Sequence, residues 1–263
     1  MSKLEIYGTF GPTCHSKETL TAMLKVGMNG IRLNLSHSSL MDHEDWIENW
    51  HQACQETHKD CHLVIDLQGR ERRLGAFEAF EVKPKECLEA PAQLPIPYDV
   101  LSLLKIEDGV WIGDQDLELR LQSIQEGSWI FEVQEAGLLE GHKSIHLHHQ
   151  DSNLAAFSDK DLENFYYGKQ AGVDGILVPF VQQAKDLQVL RETLHQFLPE
   201  CRLMAKIENM VGVQNIEEII QEADMIVIAR GDLASSCGLP WLPAIQNYLE
   251  KVCQAHALSL IKI

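Results

Sequence analysis

The sequence predicts an α/β fold: an incomplete (β/α)8 barrel of about seven strands, carrying a small inserted β-barrel domain. Three observations predict it. Short apolar runs alternate with helical patterns along most of the chain. That alternation is interrupted once, from about Ala76 to Asn153. Several of the strands turn polar on one face near their C-terminal ends, the end of a parallel barrel where functional loops gather.

The first strand is read in LEIYGTFG (4–11) and its helix in SKETLTAMLKVG, with Gly27 where a helix C-cap is expected. GIRLNLSH (30–37) and DHEDWIENWHQACQ form the second pair, and HLVIDLQG is the third strand. Pro91, Pro95 and Pro97 then lead into VWIGDQDLELRLQSI and GSWIFEVQEAG, alternating segments parted by turn residues, as in a small antiparallel β domain. The first rhythm resumes with Ser158 and Asp161, an S-x-x-D N-cap signal, and a second C-cap glycine at Gly172. GILVPF (175–180), RLMAKIEN (202–209) and MIVIARGD (225–232) follow, each with its helix, and LSLIKI reads as a last buried strand. The predicted barrel domain is thus 1–75 and 154–263, and the predicted insert 76–153. Leu187, Leu190 and Leu194 stand at helical spacing and are assigned to the core.

Apolar residues make up 45% and charged residues 23% of the 263 positions. No apolar run approaches the ~18 residues of a membrane span. The N-terminus, MSKLEIYGTF, lacks the basic and apolar regions of a secretory signal, so a soluble, cytoplasmic protein is expected. Seven cysteines without a C-x-x-C pair point to reduced thiols, most of them small core residues. A net charge of −17 opposes binding to nucleic acid or acidic membranes. A compact anionic substrate still fits where a metal ion or a few cations gather in one pocket.

Residues two apart on a strand share a face. That parity collects Met204, Lys206 and Glu208; Arg32, Asn34 and Ser36; Val64, Asp66 and Gln68; and Ile228, Arg230 and Asp232. Buried charges of this number must pair with each other, with a metal or with a substrate. Glu208 and Asp232 are hard oxygen ligands suited to Mg2+ or Mn2+, and Lys206 beside them would stabilise charge developing on a substrate oxygen. From spacing alone, a purely structural ion-pair cluster stays open. HLHHQD (146–151) lacks matching ligand spacing and reads as a solvated edge, and RGD (230–232) reads as a strand end rather than an exposed loop.

GTFGP (8–12), GMNGIRLNLSH (27–37), IDLQGRERRLG (65–75), QAGVDGILVPFV (170–181), LMAKIENMVGVQNIEEI (203–219) and MIVIARGDLA (225–234) resemble the motifs of the pyruvate kinases, in order and spacing. KIEDGVWIGDQ (105–115) and EVQEAGLLEGHKSIHL (132–147) look like that family's small lid domain. The resemblance implies phosphoryl transfer from phosphoenolpyruvate to ADP, giving pyruvate and ATP. It implies Mg2+ or Mn2+ on Glu208 and Asp232, Lys206 facing the transferred phosphoryl group and the enolate oxygen, and substrate carboxylate on the backbone N–H groups of Gly231 and Asp232. Arg32 and Arg73 would contact phosphate oxygens as catalytic groups. Asn34, Ser36, Asp66 and the carbonyl of Leu67 would form a K+ site, an assignment that Glu71 supports. Asn34, His37, Arg73 and the lid residue Lys143 would approach the nucleotide.

The likeness has departures. Gln68 and Arg70 replace a lysine and a proline of the family, Pro179 and Gln182 replace a serine and an arginine, and Gly113-Asp114-Gln115 replaces an acidic pair. The family's threonine-containing segment, its eighth strand and its C-terminal domain lie beyond Ile263. Two other readings accordingly stand beside the first: a Mg2+-dependent lyase acting on a pyruvate enolate, and a non-catalytic binding protein. An unclosed sheet exposes a strand edge, which predicts a dimer or higher homo-oligomer.

Overall fold

The computed structural model describes residues 5–36, 38–70, 72–113, 116–125, 127–147 and 156–263. Two compact units share the chain: Met1–Gly69 with Ala156–Ile263, and Arg70–Ala155. In chain order the first unit opens with β1 (Tyr7–Thr9), α1 (Lys17–Lys25), β2 (Gly30–Asn34), α2 (Glu44–Thr57) and β3 (His62–Asp66). The second contains β4 (Arg72–Arg73), β5 (Phe80–Val82), β6 (Cys87–Ala90), α3 (Tyr98–Leu101), β7 (Gly109–Ile112), β8 (Leu117–Gln125), β9 (Ser128–Val133), β10 (Gly137–Leu139) and β11 (Ser144–Leu147). The first unit then resumes with α4 (Asp159–Ala171), β12 (Gly175–Val178), α5 (Ala184–Leu194), β13 (Arg202–Ile207), α6 (Met210–Gln214), α7 (Ile216–Ile219), β14 (Met225–Ile228), α8 (Arg230–Cys237), α9 (Leu242–Ala255) and β15 (Ser259–Lys262).

The expected fold class holds. The first unit is one seven-stranded sheet in the order β1-β2-β3-β12-β13-β14-β15, with every neighbouring pair parallel. Parallel neighbours require crossovers, and helices supply them. The outer face packs under those helices in a large core that includes Ile31, Leu33, Leu63, Ile65, Ile226 and Ile228 from the strands and Leu20, Trp50, Phe165, Leu187 and Leu190 from the helices. Leu187, Leu190 and Leu194 are buried as their spacing predicted. The inner face holds a second, smaller cluster of Val64, Leu177, Met204, Met225 and Val227, with Tyr7 and Ile261 packed on it. Tyr7 and Ile261 come from the two edge strands, so the sheet curls until its ends share one bore. Gly175 makes that filling possible: a Cβ there would stand 3.0 Å from both Met204 and Val64.

The second unit is an antiparallel six-stranded sheet, β4-β11-β7-β8-β9-β6, with a two-stranded β10-β5 ribbon, around its own core. The insert is therefore the small β domain expected. Its first strand contains Arg73, which pairs with Ser144 of β11, so Arg73 belongs to this unit's sheet.

Two local readings need correction. MIVIARGD is not one strand: β14 ends at Ile228 and Arg230 begins α8. Its parity was also inverted, because Met225 and Val227 face the bore while Ile228 packs under the helices. An unbroken apolar run is buried on both sides and carries no alternation to read. All seven cysteines are free, as expected, but only Cys201 and Cys253 are buried. The capping signals were legible. Ser158 and Asp161 form a full capping box, and Gly172 is a left-handed C-cap at φ 71°. The C-cap of α1 is Val26, with Gly27 just beyond it.

Candidate active site

The upper end of the bore is where three strands finish in polar side chains. Asp66 is the last residue of β3, Lys206 the penultimate residue of β13, and Glu208 follows β13 directly. Arg32 lies on β2, on the same inward face. Two residues lower, Val64 and Met204 belong to the apolar bore cluster, so the period-two pattern carries each strand from oil to charge in one step.

These four side chains meet. Arg32 donates from Nε to Asp66 Oδ2 at 2.8 Å and also bonds that oxygen through Nη2. Lys206 Nζ lies 2.9 Å from Glu208 Oε1 and 3.4 Å from Asp66 Oδ1. Asp66, Lys206 and Glu208 are 2%, 8% and 1% exposed, whereas the Arg32 side chain keeps 24% of its surface in contact with water. Glu208 Oε2 accepts the N–H of Phe180 at 2.7 Å. Phe180 sits at φ 51°, a left-handed backbone that a phenylalanine rarely adopts.

Two oxygens in this cluster are under-served. Asp66 Oδ1 and Glu208 Oε1 are buried and receive no hydrogen bond of normal geometry, although Lys206 stands close to both. Burial pushes the Glu208 carboxyl up to about 7, Lys206 offsets part of that rise, and the negative charge of Asp232 adds to it. Burial works to discharge Lys206, but Glu208 and Asp66 outweigh it, and its ammonium is held above the usual lysine range. Lys206 therefore stays cationic while Glu208 is the soft partner of the pair.

The remaining predicted positions fall in three places. Asn34 and Ser36 are together at the exit of β2, where Ser36 donates from N and Oγ to Asn34 Oδ1 at 3.0 and 2.8 Å. Asn34 stands opposite Asp66 in the β2–β3 register, and Leu35 N donates to Asp66 O, so the two strand ends are locked side by side. Gly231 and Asp232 occupy the first turn of α8, where backbone N–H groups point outward from the helix and its dipole favours negative charge. That turn was hidden in the sequence behind the strand reading of MIVIARGD. Arg73 and Lys143 lie in the second unit, where Leu74 N bonds Lys143 O and Lys143 forms ion pairs with Asp116 and Glu140. His37, Glu71, Asp114 and Gln115 lie outside the described residues, as does most of HLHHQD.

Carboxylate oxygens are hard donors, the type a hard cation takes. Among the described residues no group of three or more His, Cys, Asp or Glu side chains could cage a metal alone. Asp232 is exposed in the first turn of α8, and its charge makes the smallest contribution to the rise of the Glu208 carboxyl. Sequence reading missed Asp161 as more than a helix cap: its carboxylate also accepts the N–H groups of Gln68 and Gly69, just beyond Asp66. No spacing rule carries a contact between residues so far apart in the chain.

Comparison with known proteins shows the family. The family profile described as "Pyruvate kinase, barrel domain" matches residues 1–262. Pyruvate kinase of Bacillus licheniformis is 30% identical over 279 residues, covering 99% of this chain and 47% of its own length. That of Chlamydia muridarum is 31% identical over 265 residues, covering 96% and 55%, and that of Thermococcus litoralis 28% over 270 residues, covering 98% and 57%. The chain spans about half the length of these curated relatives. No helix is long and apolar enough to cross a membrane among the described residues. This chain, a curled parallel sheet whose upper bore carries Arg32, Asp66, Lys206 and Glu208, is matched over nearly every residue by that one profile and belongs to the pyruvate kinase barrel-domain family.

Proposed function

We propose that the chain catalyses pyruvate kinase-like phosphoryl transfer between phosphoenolpyruvate and ADP, with a divalent cation and K+. The single observation that carries the reading is Lys206, buried at the upper end of the bore and held cationic between Glu208 and Asp66. A buried ammonium next to incompletely satisfied carboxylates is a standing site for negative charge on a substrate oxygen. Phosphoryl transfer needs chiefly positioning and charge neutralisation, which such a cluster supplies.

The chain's own residues divide the task. Lys206 would face the transferred phosphoryl group and the enolate oxygen. Arg32, fixed by Asp66, would contact phosphate, and the first turn of α8 at Gly231 and Asp232 would receive the substrate carboxylate. Glu208 and Asp232 would hold Mg2+ or Mn2+, which when bound supplies charge neutralisation across the phosphoryl and enolate oxygens. Asn34, Ser36, Asp66 and the Leu67 carbonyl would hold K+, and Asp66 Oδ1, which has Lys206 at 3.4 Å but no hydrogen bond, is consistent with that role. Arg73, Lys143 and His37 would meet the nucleotide.

ATP formation from phosphoenolpyruvate and ADP, coupled to pyruvate reduction, tests the reading. Turnover that requires Mg2+ and rises with K+ is the expected result; its absence with both ions present rejects it. A second reading is favoured by one observation: Lys143, the predicted nucleotide contact, is engaged by Asp116 and Glu140. On that reading the same bore stabilises a pyruvate enolate without ADP, and metal-dependent oxaloacetate decarboxylation that is lost in Glu208→Ala identifies it. A dimer or higher oligomer fits β1 and β15 as sheet edges, and light scattering that finds a monomer would contradict it.

A further inference from the structure

Asp161 is fully buried, and its carboxylate collects donors from two distant parts of the first unit. Ser158 donates from N and Oγ at 2.8 and 2.9 Å to Oδ2, completing the capping box of α4. Gln68 N donates to Oδ1 and Gly69 N to Oδ2, both at 3.0 Å. The first pair is all that a helix start requires. The second pair spans 93 and 92 positions of chain and serves the turn that leaves β3.

That turn is held at every step. Asp66 O accepts from Leu35 N at 2.9 Å, Leu67 N donates to Leu177 O at 3.1 Å, and Gln68 and Gly69 close on Asp161. Gly69 is left-handed at φ 62°, and a Cβ there would come within 2.4 Å of Pro179. The turn therefore has one conformation, and a charged acceptor fixes it through charge-assisted bonds. It follows Asp66, the last residue of β3, directly and begins with Leu67.

We propose that Asp161 is a positioning residue: it anchors the Leu67–Gly69 turn so that Asp66 keeps its place beside Lys206 and the Leu67 carbonyl its place in the turn, and so sets the affinity of that corner for a monovalent cation. The anchoring stands on the hydrogen bonds, while the cation part rests on the phosphoryl-transfer reading. Native-state hydrogen exchange and thermal shifts against KCl or tetramethylammonium chloride, on the wild-type chain, Ser158→Ala and Asp161→Asn, test both parts. In the wild type the Gln68 and Gly69 amides exchange as slowly as neighbouring strand amides. Asp161→Asn accelerates those two amides roughly 10- to 100-fold, the factor for losing charge-assisted bonds. It also raises the KCl half-saturation. Ser158→Ala loosens only the first turn of α4 and leaves Gln68, Gly69 and the K+ response unchanged. Fast exchange of Gln68 and Gly69 in the wild type overturns the anchoring, and needs no variant to fold. A K+-responsive wild type whose half-saturation is the same in Asp161→Asn and in Ser158→Ala overturns the positioning role alone. A wild type indifferent to K+ overturns the cation reading on which that role rests.

Discussion

The bore of the barrel unit has two ends made by the same strands on the same face, and they obey opposite rules. Below, Val64, Leu177, Met204, Met225 and Val227 fill space with apolar atoms and satisfy every demand locally. Above, Arg32, Asp66, Lys206 and Glu208 bury charge, and two carboxylate oxygens are left without a hydrogen bond. The lower layer stabilises the fold by apolar packing, whereas the upper layer holds buried carboxylates against one ammonium and one guanidinium. A barrel separates these roles by depth rather than by strand.

The largest test of that contrast is Lys206→Met. It keeps the volume but removes the charge that Asp66 and Glu208 surround, and turnover should fall at least ~1000-fold, the scale of losing a preorganised electrostatic contact. A steady-state assay on folded protein checks it; a loss under tenfold would put the chemistry elsewhere. Met204→Ala, one step lower on the same strand, should do the reverse. A fully buried methionine truncated to alanine costs about 2–5 kcal/mol of stability, seen in urea titrations, with turnover per folded molecule nearly unchanged.

Glu208→Gln sharpens the comparison through pH. The folded carboxyl titrates near 7 against an ordinary 4.5, so the native state binds the extra proton between those values. This group's contribution to stability is therefore fully present below about 4.5 and is lost as pH rises through about 7, by up to about 3 kcal/mol. The glutamine variant should flatten that decline in denaturant titrations at pH 5 and pH 8, while losing turnover. An unchanged pH slope would mean that Glu208 is hydrated. The smallest effect belongs outside the bore: Asn209→Ala removes the side-chain cap that accepts Gly212 N at 2.9 Å, for about 1 kcal/mol.

Much of this was legible in the sequence, for a definite reason. Strands β2, β3 and β13 place a charged residue among apolar ones, and Arg32, Asp66 and Lys206 thus announce which face is inward. MIVI has no such marker, so neither the inward face of β14 nor the start of α8 could be found from it. Capping chemistry is local, and Ser158 with Asp161 was readable; the bonds from Asp161 to Gln68 and Gly69 depend on how β3 and α4 pack. Arg73 was misplaced for a similar reason, since its two-residue strand is defined only by its partner Ser144.

Phe180 holds its N–H on Glu208 from a backbone that glycine would adopt freely and that disfavours most other residues, Asn and Asp least, by roughly 1–2 kcal/mol. Directed evolution for heat resistance alone would then drift toward glycine at this position. Evolution for heat resistance with activity retained would keep the ring only if it contributes something the backbone does not. The mutational record at one codon thus becomes an assay for a side chain's purpose, run without knowledge of its substrate.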